Sequence, residues 1–322
     1  MRLKMSSTVI DDALKFIAEG AGKRFIGRLT PRQFDQPCAI VGDDKSWPRL
    51  QYHAPDQEVV IDNFPVSGIH QVLSSFFLNQ IEESFPLSIQ SRFTVVFSTG
   101  HTRSDFQGRW SQSSKTPDGD MLFTSLVTGH TGAAIIIEVG FSDSMRRLER
   151  DAETWLIGLR DEVRVCIIIT LDEKPAYRIP ASGIVGPGID IDEEAAAARV
   201  AMTRDRIDAG NVGMPLRYRG QTWVNWLTGR VAIYKARPDF SGIYCASSVD
   251  LPLELTDEVT GSTPIGLRRS CFLSIEDMSM AEIEDIEVPF NFSSLYQKLR
   301  IAIAELGHLR YKEYLKTRAS EL

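Results

Sequence analysis

The chain has 322 residues, 43% hydrophobic and 25% charged, with a formal net charge of −7. This is ordinary globular usage, and the length allows one large domain or a core with a smaller appendage. The acid excess argues against indiscriminate nucleic-acid binding. No apolar run approaches the ~20 residues of a membrane helix, and residues 1–8 lack the apolar centre of a signal peptide. Cys38, Cys166, Cys245 and Cys271 are scattered with no CxxC, and His53, His70, His101, His130 and His308 show no ligand spacing. Neither a disulfide framework nor a zinc site is expected, and the expected setting is intracellular, nuclear or cytoplasmic.

In chain order, residues 8–29 contain a predicted amphipathic helix with Ile10, Leu14, Phe16 and Ile17 as its apolar residues, and residues 31–55 are turn-rich. A helix is predicted over 66–84, a strand over 93–97 and a polar loop over 98–116. Residues 121–127 and 133–139 read as two strands joined by the turn residues Thr128-Gly129-His130-Thr131-Gly132. Pairing about a centre near His130 brings Asp118 and Asp120 close to Glu138. Like charges so placed call for a cation or a shared proton. Mg²⁺ is a natural candidate, because it needs only one or two protein carboxylates beside water and substrate phosphate. An amphipathic helix follows over 145–159, with Asp143 or Ser144 able to cap it, then a buried strand over 163–169. A helix between two strands favours their parallel, right-handed placement.

Residues 180–188 read as a hinge or connection, 190–209 as a helix opened by acids that suit its dipole, and 292–318 as a long terminal helix. Between the last two, Arg217, Arg219, Arg230, Lys235 and Arg237 are interleaved with Tyr218, Trp223, Trp226 and Tyr234. Cations with aromatics suit phosphates and unstacked bases, although two ordinary strands with alternating core aromatics give the same pattern. A smaller basic patch, Arg103, Arg109 and Lys115, precedes Asp118 in the loop and is a candidate to meet substrate. The acidic runs 190–194 and 282–287 read as solvated faces or partner surfaces.

Pro117-Asp118, then Glu138-Val139-Gly140-Phe141-Ser142-Asp143-Ser144, then Trp155 and the apolar strand after it, together resemble the divergent fungal-type branch of the PD-(D/E)XK, or restriction-endonuclease-like, superfamily. The resemblance covers roughly residues 85–180. It implies an α/β fold with a mixed central sheet flanked by helices, C-terminal strands and a terminal helix. The corresponding division is 1–60 as an N-terminal helix and turn-rich segment, 61–180 as the core and 181–322 as C-terminal strands and helix packed on it.

The resemblance further implies a nuclease acting on DNA or RNA, with Asp118 and Glu138 as ligands of Mg²⁺ or Mn²⁺. Asp120 shares the strand face of Asp118, lies closer to Glu138 in this hairpin register and is the alternative or additional ligand; Glu82 and Glu83 could add another. The family's third residue, a lysine two positions after the second acid, is replaced by Gly140. Arg146 or Arg150 on the following helix would then stabilise phosphate charge, although arginine is a poor general base. Loss of the lysine also supports a different expectation, a catalytically inactive descendant that binds nucleic acid or protein. Expected partners are therefore nucleic acid, a second copy of the chain or another protein, and no membrane.

Overall fold

The computed structural model describes residues 11–13, 15, 24–41, 49–62, 68–85, 93–98, 102–126, 129, 131–141, 143–180, 190–254, 263–271 and 284–319. Strands β1 (Arg24–Arg28), β2 (Arg49–His53) and β3 (Glu58–Asp62) form a small antiparallel sheet in the order β1-β3-β2. This departs from the expected helix and turn-rich segment. Residues 11–13 and 15 are helical, but 24–28 are extended, and helix α1 (Pro31–Val41) occupies much of the expected turns. Pro31 starts α1, where a missing N–H costs nothing, and Gln33 reaches back to accept from Thr30 N and Oγ1 at 2.8 and 2.9 Å. This unit has its own small core of Leu29, Phe34, Tyr52, Val59 and Ile61.

The middle of the chain follows the predicted order: α2 (Gly68–Glu83), β4 (Phe93–Ser98), β5 (Gly119–Ser125), β6 (Thr131–Phe141), α3 (Met145–Gly158) and β7 (Val165–Lys174). Strands β4, β5 and β6 pair antiparallel, whereas β6 and β7 pair in parallel with Ile137 opposite Ile167, α3 making the crossover. Of the expected β5–β6 turn, only Gly129 and Thr131–Gly132 lie within the described residues, and the expected hinge after Pro180 lies outside them.

Helix α4 (Ile191–Asp208) is capped by Asp190, whose side chain accepts from Asp192 N and Glu193 N. Strands β8 (Leu216–Tyr218) and β9 (Gln221–Val224) form a hairpin. Strands β10 (Trp226–Ala236) and β11 (Ile243–Leu251) extend the central sheet, β12 (Thr263–Arg268) pairs with β13 (Glu287–Phe290), and α5 (Phe292–Ala319) ends the fold. The central sheet runs β11-β10-β7-β6-β5-β4 and is mixed, with helices on both faces. No helix among the described residues is long and apolar enough to cross a membrane.

Cover on both faces explains why β6 and β7 are apolar without alternation. Ile135, Ile137, Ile167 and Ile169 pack in the cluster with α2 and α5, while Ile136, Cys166 and Ile168 pack against α3. Each fully buried aliphatic side chain contributes about 1.5–3 kcal/mol. The strand pair that carries Glu138 is thus anchored by buried side chains on both of its faces.

Candidate active site

Side chains alternate along β6, so Glu138 shares the α3 face with Ile136. The β5–β6 register sets Gly119 opposite Ile137 and Asp120 opposite Ile136; continued by one residue, it sets Asp118 opposite Glu138. Asp118, not Asp120, is therefore the nearer aspartate, which corrects the symmetric-hairpin expectation. A bulge between Met121 and Leu122 shifts the pairing towards the turn. Asp118 also accepts the Val139 N–H at 2.8 Å, which pins it to β6 beside Glu138. Asp120 is buried on the same face, two residue pairs further along.

The cation at Glu138 is Lys115. Its ammonium lies 3.1 Å from Glu138 Oε1 and 3.2 Å from Asp151 on α3, and all three residues are buried. Its Nζ also donates to Gln51 Oε1 at 3.4 Å and sits over the Trp155 ring. Trp155 Nε1–H donates to the same Glu138 Oε1 at 2.5 Å. The segment before β5 is held on both sides: Ser114 exchanges two backbone hydrogen bonds with Tyr52 of β2, and Lys115 exchanges two with Arg103. Lys115 is thus enclosed beside the acids instead of lining an open loop, because its segment is stitched to β2 and to residue 103.

Gly140 has a packing reason. A Cβ there would stand 2.6 Å from Leu148 Cδ1 and 3.2 Å from Asp143 Cβ, so these two side chains close over the strand position two residues after Glu138. The C-terminal end of α3 is approached equally closely. A Cβ on Gly158 would meet Phe106 Cδ1 at 2.8 Å, and Gln107 N donates to Gly158 O.

Burial pushes the Glu138 carboxyl up to about 7; Lys115 opposes this, while Asp118 and Asp151 push it further up. Burial also works against the Lys115 ammonium, but Asp151 and Glu138 outweigh it and hold its pKa above the ordinary lysine value. Glu138 and Asp151 share one ammonium and Asp118 adds its charge beside Glu138, so the fully ionised cluster has an excess of negative charge that a proton or a cation relieves.

No three His, Cys, Asp or Glu side chains among the described residues are grouped to hold a metal ion. Asp118 lies opposite Glu138, and two carboxylates are a number that suits Mg²⁺ when water and substrate oxygens complete its shell.

The remaining predicted residues lie elsewhere. Arg150 donates to Asp56 at 3.2 Å and to Glu58 at 2.5 Å, and Arg146 is exposed on the outer side of α3. Arg103 is paired with Asp105 and Glu162, and Arg109 with Glu153. Glu82 and Glu83 are exposed at the end of α2. Arg217 and Arg219 are exposed, and Arg219 is paired with Glu194.

Trp223 corrects the expectation of a base-stacking face. It is fully buried, packed edge-on to Tyr311 and Tyr314, with its indole N–H donated to Tyr218 O. Sequence reasoning missed the roles of Asp151 and of the Trp155 indole, and it placed Lys115 on a substrate loop. The one available signal was a lysine two residues before Pro117-Asp118. No family model, no curated protein and no solved structure matches this chain.

Proposed function

We propose that this is a metal-dependent phosphodiesterase of the restriction-endonuclease-like type, acting on DNA or RNA, in which Lys115 takes the part of the missing motif lysine. The observation that carries this reading is the contact of the Lys115 ammonium with Glu138, on the strand face where Asp118 lies opposite. Asp118 and Glu138 would hold Mg²⁺ or Mn²⁺, which supplies a polarised phosphate and a water of lowered pKa.

The chain's own groups do the rest. Trp155 and Asp118's bond to Val139 fix the two carboxylates. Asp151 keeps Lys115 charged and aimed, so that its ammonium can donate to the attacking water or to the charge that grows on the phosphate oxygens. In this reading the lysine arrives from the segment before β5, because α3 fills the space above Gly140.

The test is cleavage of supercoiled plasmid, single-stranded DNA and RNA in Mg²⁺ and in Mn²⁺, with Asp118→Asn, Glu138→Gln and Lys115→Met beside the wild type. Cutting lost in all three variants supports the reading; cutting retained in Glu138→Gln refutes it. The burial of Lys115 between Glu138 and Asp151 favours one other reading, a non-catalytic binding module in which the cluster is a closed charge network. Absence of cutting by folded wild type on every substrate would select it.

A further inference from the structure

The N-terminal sheet meets the rest of the molecule beside the Lys115 cluster through polar links. Its apolar residues form a cluster separate from the two that hold the central sheet. The links are the Tyr52–Ser114 backbone pair, Ala54 N donating to Ser113 Oγ, Gln51 accepting from Lys115, and Arg150 bridging to Asp56 and Glu58. Gln51, Tyr52 and His53 line one side of a small cavity whose other side is Lys115, Arg150 and Asp151. A unit with its own core and a polar interface moves more readily than one sharing a core.

Arg150 is the link made by a charged side chain to two carboxylates at once. Its guanidinium gives one nitrogen to each of two carboxylates, an arrangement that matches two oxygens of a single phosphate. The residues are accessible, with side-chain exposures of 28% for Arg150, 49% for Asp56 and 23% for Glu58, so water and ions compete for the bridge. They line a cleft of about 790 Å³ together with Arg146 and Arg147 and the acids Glu149 and Glu153. An anion entering that cleft meets Arg150 from the solvent side.

We propose that the N-terminal sheet is a displaceable cap over the Lys115–Glu138–Asp151 cluster, and that Arg150 is a phosphate site whose occupation releases Asp56 and Glu58 and loosens the cap. The proposal takes its ligand class from the phosphodiester reading above, but its test does not depend on cleavage. Because Ser114 is bonded to the cap and precedes Lys115, release of the cap frees the cluster on the side it covers.

The experiment is amide hydrogen exchange on the full chain with inorganic pyrophosphate, against sodium chloride at matched ionic strength. Expected on pyrophosphate addition is exchange faster by about 10-fold or more at Tyr52, Ala54 and Ser114, with the β1–β3 ladder and Ile167 and Ile168 unchanged. Asp56→Asn/Glu58→Gln, or Asp56→Asn alone should the pair fold poorly, should show that faster exchange without pyrophosphate. Arg150→Gln should show it too and be insensitive to pyrophosphate. Unchanged exchange at these three amides in pyrophosphate and in the variants overturns the proposal. So does acceleration that extends to Ile167 and Ile168, which would make the bridge a support of the whole fold. Should the cap amides respond while no substrate is cut, the cap stands and the nuclease reading falls.

Discussion

Lys115 Nζ stands 3.1 Å from Glu138 Oε1, and the strand position two residues after that glutamate is a glycine roofed by Leu148. The two facts belong together. The space that a lysine at 140 would need is filled by α3, and an ammonium reaches the glutamate from another segment. Removing it leaves Glu138 and Asp151 buried without their shared cation. Breaking a buried pair from one side costs about 3–5 kcal/mol. Lys115→Met is expected to lose that much in urea unfolding, and Lys115→Met/Glu138→Gln to recover part of it. A double-variant loss equal to the sum of the two single-variant losses would show that the two side chains are not coupled.

Gly140→Lys should restore nothing. Its Cβ alone would lie 2.6 Å from Leu148 Cδ1, and Leu148 belongs to the cluster under α3. Overpacking of this kind costs roughly 1–3 kcal/mol. The expected outcome is a lower urea midpoint with no gain in metal-dependent cleavage. A stable variant with new or faster cleavage would show that α3 yields and that the family's usual lysine position is still usable.

The pH dependence follows from Glu138. Its carboxyl is held at about 7 against an ordinary value of 4.5, so between those values the folded state binds the extra proton. Folding stability from this group is therefore full below 4.5 and is lost as pH rises through 7. Glu138→Gln should remove that slope from stability measured across the window. A cation competes with the same proton, so calorimetric Mg²⁺ or Mn²⁺ affinity should strengthen from about pH 6 to about pH 8 in the wild type and be lost in Glu138→Gln. Affinity that is flat across that range would mean that Glu138 is not a ligand.

The sequence carried the scaffold of this site better than its chemistry. The apolar runs of β6 and β7, the helical spacing from Met145 to Leu159 and the placement of Glu138 near a strand end are local patterns set by one physical requirement, burial. The parallel β6–β7 pairing follows from the intervening helix.

What escaped was non-local. The β5–β6 register, with Gly119 opposite Ile137 and Asp120 opposite Ile136, decides which aspartate faces Glu138, and no periodicity announces it. Lys115 looks like a loop cation until Tyr52 and Arg103 hold its segment on both sides. The N-terminal sheet escaped for a related reason. Its strands are five residues each and carry charged residues, as in Arg24–Arg28 and Glu58–Asp62, so neither length nor alternation separates them from turns.

Trp155 provides the most selective probe of the carboxylate. Its indole N–H is donated to Glu138 Oε1 at 2.5 Å, and that hydrogen bond opposes the upward push on the carboxyl. Trp155→Phe keeps the ring against Phe106 and Leu156 but removes the donor. Oε1 keeps Lys115 but loses this donor; a hydrogen bond to a charged group is worth about 1.5–3 kcal/mol, and here the loss falls on the ionised form. The variant should fold and should move the stability slope and the cation-binding transition to higher pH. Trp155→Phe with the wild-type pH profile would mean that the indole is only packing and that Lys115 alone holds the charge on Glu138.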